Sequence, residues 1–289
     1  QNYLVRMEFI PDSNNLIIQQ LNRKQNQIKV YIADAQKGSA KIIYKESDEA
    51  WVDLFQIGNT YAIDYTNSFN FLKESNSILW ASEKDGWRHL YQVSLEGKPE
   101  VLITKGEYDV IDLKYIHNKE GFVYYLASPN NATQKYLYKT KLNGKGKNEL
   151  LSPISLKGSH DYSFSSNGNY AEHTFSNHFT PNSKEFISIA NHKALTDKES
   201  ILKNIKKLEE KPTTEFFTIT TADNVEMDGW MVKPTNFDPN KKYPVVFYVY
   251  SEPARATVKD SYNTSRNSLY IGDMAEDGYI YISLDNRGT

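Results

Sequence analysis

The chain has 289 residues, with 34 basic against 36 acidic side chains, and a net charge of -2 offers no field that would gather nucleic acid or an anionic membrane surface. It contains no cysteine, which removes disulfides, thiolate nucleophiles and thiolate metal ligands together, and no run approaches the roughly 18 apolar residues of a membrane-crossing helix. Its 21 tyrosines bias it toward strands, and its length allows one or two domains with a proper core.

In chain order, Gln1 stands where an initiator would, and Tyr3-Leu-Val-Arg-Met-Glu-Phe-Ile10 is already strand-like, with no charged and apolar leader before it. The expectation is an internal piece of a longer protein. Four segments then share one grammar of strand, polar turn, strand and further strands. The first predicts strands at 4–10, 16–21, 28–33 and 40–44; the second at 69–72, 78–82, 87–94 and 100–104. The third predicts them at 110–116, 122–127, 134–141 and 149–152, and the fourth at 161–165, 170–175 and 185–189. Turn entries at Leu72, Ile116 and Ser165 lie 44 and 49 residues apart, close to the roughly 40 to 50 residues of a four-stranded propeller blade. The fold class expected is mostly β: a partial β-propeller of about four blades over residues 1–195, with an irregular β-sandwich as the alternative.

The period changes after residue 195. Thr196-Asp-Lys-Glu199 has the form of a capping box, Ile201, Leu202, Ile205 and Leu208 share one helical face, and Pro212 stops the run. Residues 196–213 are therefore expected to form a linker helix. A hairpin follows at 216–221 and 227–233, then Tyr243-Pro-Val-Val-Phe-Tyr-Val-Tyr250 and Gly278-Tyr-Ile-Tyr-Ile-Ser-Leu-Asp-Asn-Arg-Gly-Thr289. These last runs read as a buried parallel strand pair. Leu269, Tyr270 and Met274, ahead of Asp277-Gly278, suggest a crossover helix over about 260–277. Residues 214–289 are thus expected to open an α/β-hydrolase domain. No G-x-S-x-G nucleophile elbow occurs among the 289 residues.

Several stretches carry a resemblance. Ala81-Ser-Glu-Lys-Asp-Gly-Trp-Arg-His-Leu-Tyr91, Leu102-Ile-Thr-Lys-Gly106, Lys241-Lys-Tyr-Pro244 leading to a strand that ends in Tyr, and Asp285-Asn-Arg-Gly288 are similar to segments of the dipeptidyl peptidase IV family, a branch of the prolyl oligopeptidase family of serine peptidases. The resemblance runs over essentially the whole chain and implies a propeller covering a hydrolase domain. It implies that Tyr250 donates its phenolic hydrogen bond to the tetrahedral oxyanion, that Asp285 and Arg287 organise loops near the catalytic cleft, and that Phe55, beside Trp51 and Val52, lines the substrate channel. Trp87, Arg88 and His89 resemble a blade motif in which the Trp is buried and the Arg or His bonds between strands. Ser251 and Glu252 depart from the small residues usual between this Tyr and the following Pro, and Glu252 is expected to face solvent or a basic partner.

Other features are read blandly. The six histidines, His173 and His178 among them, are given strand or surface roles rather than a zinc site. Glu209-Glu210 imitates the paired glutamates that bind a substrate's amino terminus in dipeptidyl peptidases, yet it closes the linker helix; Lys203, Lys206 and Lys207 are a solvated helix face. No metal and no cofactor are expected. What the resemblance implies for the parent is a serine exopeptidase releasing Xaa-Pro or Xaa-Ala dipeptides through an acyl-enzyme, extracytoplasmic and homodimeric, acting on peptides with a free N-terminus. The piece itself, without Ser, Asp and His of the triad, should be inactive, and its exposed sheet edges invite self-association. Alternatives are an oligopeptidase or acylaminoacyl peptidase of the same family, or a non-catalytic propeller binding module.

Overall fold

The structure is a computed structural model and describes residues 2–54, 69–196, 200–205, 214–250 and 256–287. Strands β1 (Asn2–Phe9), β2 (Asn15–Asn22), β3 (Gln27–Asp34) and β4 (Ala40–Ser47) pair antiparallel in sequential order. The pattern repeats in β5 (Asn70–Leu72), β6 (Ser77–Ser82), β7 (His89–Ser94) and β8 (Val101–Leu102), and again in β9 (Val110–His117), β10 (Phe122–Ala127), β11 (Tyr136–Lys141) and β12 (Glu149–Leu150). A fourth sheet comprises β13 (Ser159–Phe164), β14 (Tyr170–Ser176), β15 (Ser183–Ser188) and β16 (Lys193–Ala194). Four separate four-stranded meanders are propeller blades in kind, not the two broad sheets of a sandwich. The two-residue β16 lacks any period of its own, which is why the sequence reveals only three strands there.

The turns explain the register. Asp12 and Asn76 adopt left-handed backbone conformations with φ of 59° and 44°, which short polar side chains tolerate, and Gln25 does the same at 58°. Asn22 Oδ1 accepts from the amides of Asn26 (3.0 Å) and Gln27 (3.1 Å), closing the β2–β3 hairpin. Alternation along β2 then buries Ile17, Gln19 and Leu21.

By its contacts the chain divides into two compact units: Gln1–Pro129 with Leu137–Leu150, and Asn130–Tyr136 with Leu151–Thr289. In the first, Ile17, Leu21, Ile28, Val30, Tyr44, Ile78, Trp80 and Val93 belong to one core shared by the first two sheets. Glu46 ties these sheets: its carboxylate accepts from Tyr44 Oη (2.8 Å), Trp80 Nε1 (3.0 Å) and Ser82 Oγ (2.6 Å). Burial, with Glu46 next, pushes the Tyr44 phenol far above its ordinary range, so it stays a donor.

The second unit holds the fourth meander, helix α1 (Ile201–Ile205) and a mixed sheet. Of the expected linker helix α1 is the described part; residues 197–199 and 206–213, with Glu209, Glu210, Lys206 and Lys207, lie outside the described residues, and the Lys203 side chain is not described. In the mixed sheet, β17 (Thr214–Thr220) and β18 (Glu226–Val232) form a hairpin, β19 is Val245–Tyr248, β20 is Ile280–Leu284, and the order is β17-β18-β20-β19. β18 and β20 are antiparallel, whereas β19 and β20 are parallel, with Val246 opposite Tyr281 and Phe247 opposite Ile282. Trp230, Val232, Val258, Met274 and Tyr281 form its core.

Two expectations are corrected here. Among the described residues β19 is the outermost strand of its sheet rather than a buried one, and Phe247 is 65 % exposed. Residues 260–277 form turns rather than a helix. Asn263 is left-handed at φ 60°, Asn267 Oδ1 accepts from the Leu269 amide, and Asp273 Oδ1 from the amides of Ala275 and Glu276. Side chains that bond the amides two or three residues on offer the backbone an alternative to the helical ladder. Leu269 and Ile271 therefore face solvent, while Met274 reaches the core.

Candidate functional site

The parallel pair β19–β20 delivers two residues singled out by sequence. Tyr250 lies two residues past the end of β19 and is 40 % exposed, so its ring is not sealed in the core. A phenol placed there can donate an O–H to an anionic oxygen. Ser251 and Glu252, whose orientation the sequence puts in question, lie outside the described residues, as does Phe55; its neighbour Val52 is buried and Trp51 is exposed.

Asp285 follows β20 directly and is buried. Its Oδ1 accepts from the Thr257 amide (2.7 Å) and hydroxyl (2.7 Å), and its Oδ2 from the Val258 amide (3.0 Å). The Thr257 and Ser283 hydroxyls lie 3.0 Å apart, and Trp230 Nε1 donates to the Thr257 carbonyl at 3.3 Å. One carboxylate at a strand end thus pins the backbone at Thr257 and Val258. Arg287 acts elsewhere: it pairs with Asp223 in the β17–β18 turn, and both are more than half exposed. The guanidinium holds the Asp223 carboxyl below the usual range.

Three residues after Thr257, a second carboxylate does similar work. Asp260 accepts from the His178 amide (2.9 Å), His178 Nδ1 (2.8 Å) and Gln134 Nε2 (2.8 Å), while its own amide donates to the Thr133 carbonyl at 2.7 Å. Sequence reasoning missed Asp260 entirely. Its partners lie 82 and 126 residues away, and nothing local marks it.

Among the blade-motif residues, His89 is buried with Nδ1 2.8 Å from Asp85 Oδ2, and Arg88 pairs with Glu83 at 3.5 Å. Trp87 departs from expectation. It is 40 % exposed, because it sits in the β6–β7 turn, two residues before strand pairing starts.

The reading of the histidines also changes. His173 is fully buried in β14, and its Nδ1 lies 2.8 Å from Glu185 Oε1 on β15, directly across the ladder. His173 and His178 both have the carboxylate company that sequence spacing hides. The potential metal-ligating atoms of His173, Glu185 and His192 lie within 4.8 Å of one another. Donors held at roughly 2.0 Å in a tetrahedral zinc site stand about 3.3 Å apart. Here one separation is that of a hydrogen bond and the spread is wider, so the group is a hydrogen-bonded network in its present geometry.

No helix among the described residues is long and apolar enough to cross a membrane. In sequence, the chain is 27 % identical over 288 residues to a probable dipeptidyl-aminopeptidase B of Coccidioides posadasii, covering 96 % of this chain and 30 % of that protein. It is 25 % identical to dipeptidyl peptidase 4 of Trichophyton rubrum, covering 93 % of this chain and 34 % of the relative. The crystal structure of Porphyromonas gingivalis dipeptidyl peptidase 4 superposes with a TM-score of 0.77 at 28 % identity, over 100 % of this chain and 38 % of that one. The chain therefore spans about a third of the length of the curated relatives it matches. Residues 1–182 match the family model of the dipeptidyl peptidase IV N-terminal region: the chain belongs to the dipeptidyl peptidase IV family.

Proposed function

We propose that this chain is the later-blade and first-sheet portion of a serine peptidase that releases Xaa-Pro or Xaa-Ala dipeptides from peptide N-termini through an acyl-enzyme. Family membership and the dipeptidyl peptidase names of its relatives support the substrate class. The observation that carries the site is Tyr250, held past the end of a parallel edge strand with its ring partly open to solvent. On this reading residues 1–195 are blades, 196–213 a linker and 214–289 the opening of the hydrolase domain. The nucleophile, its base and the amine-binding glutamates come from the part of the relatives' length that this chain does not cover.

Tyr250 donates to the oxyanion as the tetrahedral intermediate forms, where a positioned donor contributes about 2.7 to 4 kcal/mol. Asp285, by clamping Thr257 and Val258, fixes the backbone at those two residues against the end of β20. The whole protein, on the same reading, is an extracytoplasmic homodimer. In the full-length protein, Tyr250→Phe is expected to lower kcat on an Ala-Pro chromogenic substrate by roughly 10²–10³-fold with little change in KM. Residues 1–289 alone are expected to give no turnover. An unchanged kcat removes Tyr250 from the mechanism, and a full-length protein silent on every N-terminal dipeptidyl substrate overturns the peptidase reading.

A further inference from the structure

The fourth blade contains a line of buried groups whose protons can be counted. His160 on β13 and His173 on β14 are both fully buried, and their rings stack at 5.1 Å between centroids. His160 Nε2 lies 2.8 Å from the Leu156 carbonyl oxygen, and His160 Nδ1 lies 2.9 Å from His173 Nε2. His173 Nδ1 lies 2.8 Å from Glu185 Oε1, and Glu185 Oε2 accepts the Ile201 amide at 3.0 Å.

A carbonyl can only accept, so His160 must carry its proton on Nε2. Its neutral ring then presents a lone pair at Nδ1, and His173 must donate from Nε2. That leaves His173 Nδ1 facing a carboxylate oxygen. Were His173 neutral and Glu185 ionised, two lone pairs would meet at 2.8 Å in a site without water access, a costly arrangement. Three short contacts need three protons, and two neutral imidazoles supply two.

We propose that this network takes up one further proton from water on folding and keeps it at neutral pH between His173 and Glu185, as a buried imidazolium–carboxylate pair at the centre of the blade. The surroundings fit that assignment. Burial, aided by the neighbouring His173, pushes the His160 imidazole down to about 3, so that ring is neutral. Burial works against the Glu185 carboxylate, but the bonds from His173 and the Ile201 amide outweigh it and hold the carboxyl below its usual range. The other groups facing His173 are His192 and Tyr162. Burial, then His173, pushes His192 down to about 4, and Tyr162, whose oxygen lies 2.8 Å from both His192 Nε2 and Ser152 Oγ, is pushed up by burial and stays a neutral phenol. Lys135 also acts on His160, lowering it further. Through Glu185 the pair joins β14 and β15 to the first residue of α1.

The network makes an asymmetric prediction. Glu185→Gln replaces the carboxylate by an amide whose NH₂ donates to His173 Nδ1 and whose oxygen accepts from Ile201, so every contact is satisfied with His173 neutral. Glu185→Leu leaves both the His173 ring and the Ile201 amide without partners. The test is imidazole ¹⁵N NMR at neutral pH on histidine-labelled protein, with His173 assigned through its own backbone. Two nearly equal ring-nitrogen shifts, turning into a widely split pair in Glu185→Gln, are the result expected. Raising the pH should split the wild-type pair and lower the urea midpoint of wild type more than that of Glu185→Gln. A widely split His173 pair in the wild-type protein at neutral pH overturns the proposal, and that measurement stands even if a variant fails to fold.

Discussion

Removing the Asp285 carboxylate tests whether the segment at Thr257 and Val258 is held by one side chain. Asp285→Ala deletes three hydrogen bonds at once, to the Thr257 amide, the Thr257 hydroxyl and the Val258 amide. Val258 is 1 % exposed, so water cannot replace its lost partner, and a buried amide left alone costs about 1 to 3 kcal/mol. Thr257 is less deeply placed, and its hydroxyl keeps the Ser283 contact at 3.0 Å; its two bonds contribute about 1 kcal/mol each. The sum is about 3 to 5 kcal/mol, a large share of the roughly 5 to 15 kcal/mol that holds a domain together. Asp285→Asn should cost about half as much, because its amide oxygen still serves one side. Urea unfolding reads the total, and hydrogen exchange of a peptide over residues 256–262 reads the mechanism, since the amides of Thr257 and Val258 should lose protection first. A loss below about 1 kcal/mol with exchange unchanged would show that packing of Val258 and Trp230, not the carboxylate, fixes this segment.

The remaining predictions concern stability. His160 and His192 have imidazoles depressed to about 3 and about 4, so the unfolded chain binds more protons than the folded one below the ordinary histidine range near 6.5. The contribution of these two rings is then constant above about pH 6.5, and it lowers stability on acidification toward pH 4, by about 2 kcal/mol per ring at pH 5; urea midpoints that do not fall between pH 6.5 and 5 contradict it. Glu46→Gln keeps one acceptor where three donors converge, and should cost about 2 kcal/mol with a shift in tryptophan emission as Trp80 loses its partner; emission identical to wild type would mean the indole bond is not made. A Cβ at Gly229 would overlap the Phe217 ring, so Gly229→Ala should lose about 1 to 3 kcal/mol, part of it regained when Phe217→Leu is added. Full stability in Gly229→Ala alone would place the Phe217 ring elsewhere.

Where the sequence could be read, local chemistry was enough. Strand alternation with Asn, Asp and Gly turns delimits the four meanders, since each blade is built from neighbours in the chain. The parallel pairing of β19 with β20 follows from two apolar runs too far apart for a hairpin. Misreadings arise where side chains act across distance or against the backbone. Leu269, Tyr270 and Met274 have helical spacing, but Asn267 and Asp273 accept from the amides two or three residues on, and the helix does not form. Trp87 reads as core by residue type, yet the turn that carries it ends before the strand begins. The carboxylate next to His173 in sequence, Glu172, pairs with Lys184 instead, and the one that meets the His173 ring, Glu185, reaches it across the ladder. Asp260 is invisible for the same reason: what it holds lies in segments that precede it by most of a domain.

The strand order β17-β18-β20-β19 has a consequence for how the molecule is made. β20 is the last of these strands in sequence, yet it occupies an interior position, with β18 on one side and β19 on the other. During synthesis the β17–β18 hairpin and β19 both leave the ribosome with their joining edges vacant, and they wait until residue 284 has emerged before the gap between them can be filled. Zipping that late-arriving strand into place closes loops from both flanks in a single event, a slow class of step. Whatever shields those waiting edges from other chains in the interval governs the yield of native protein.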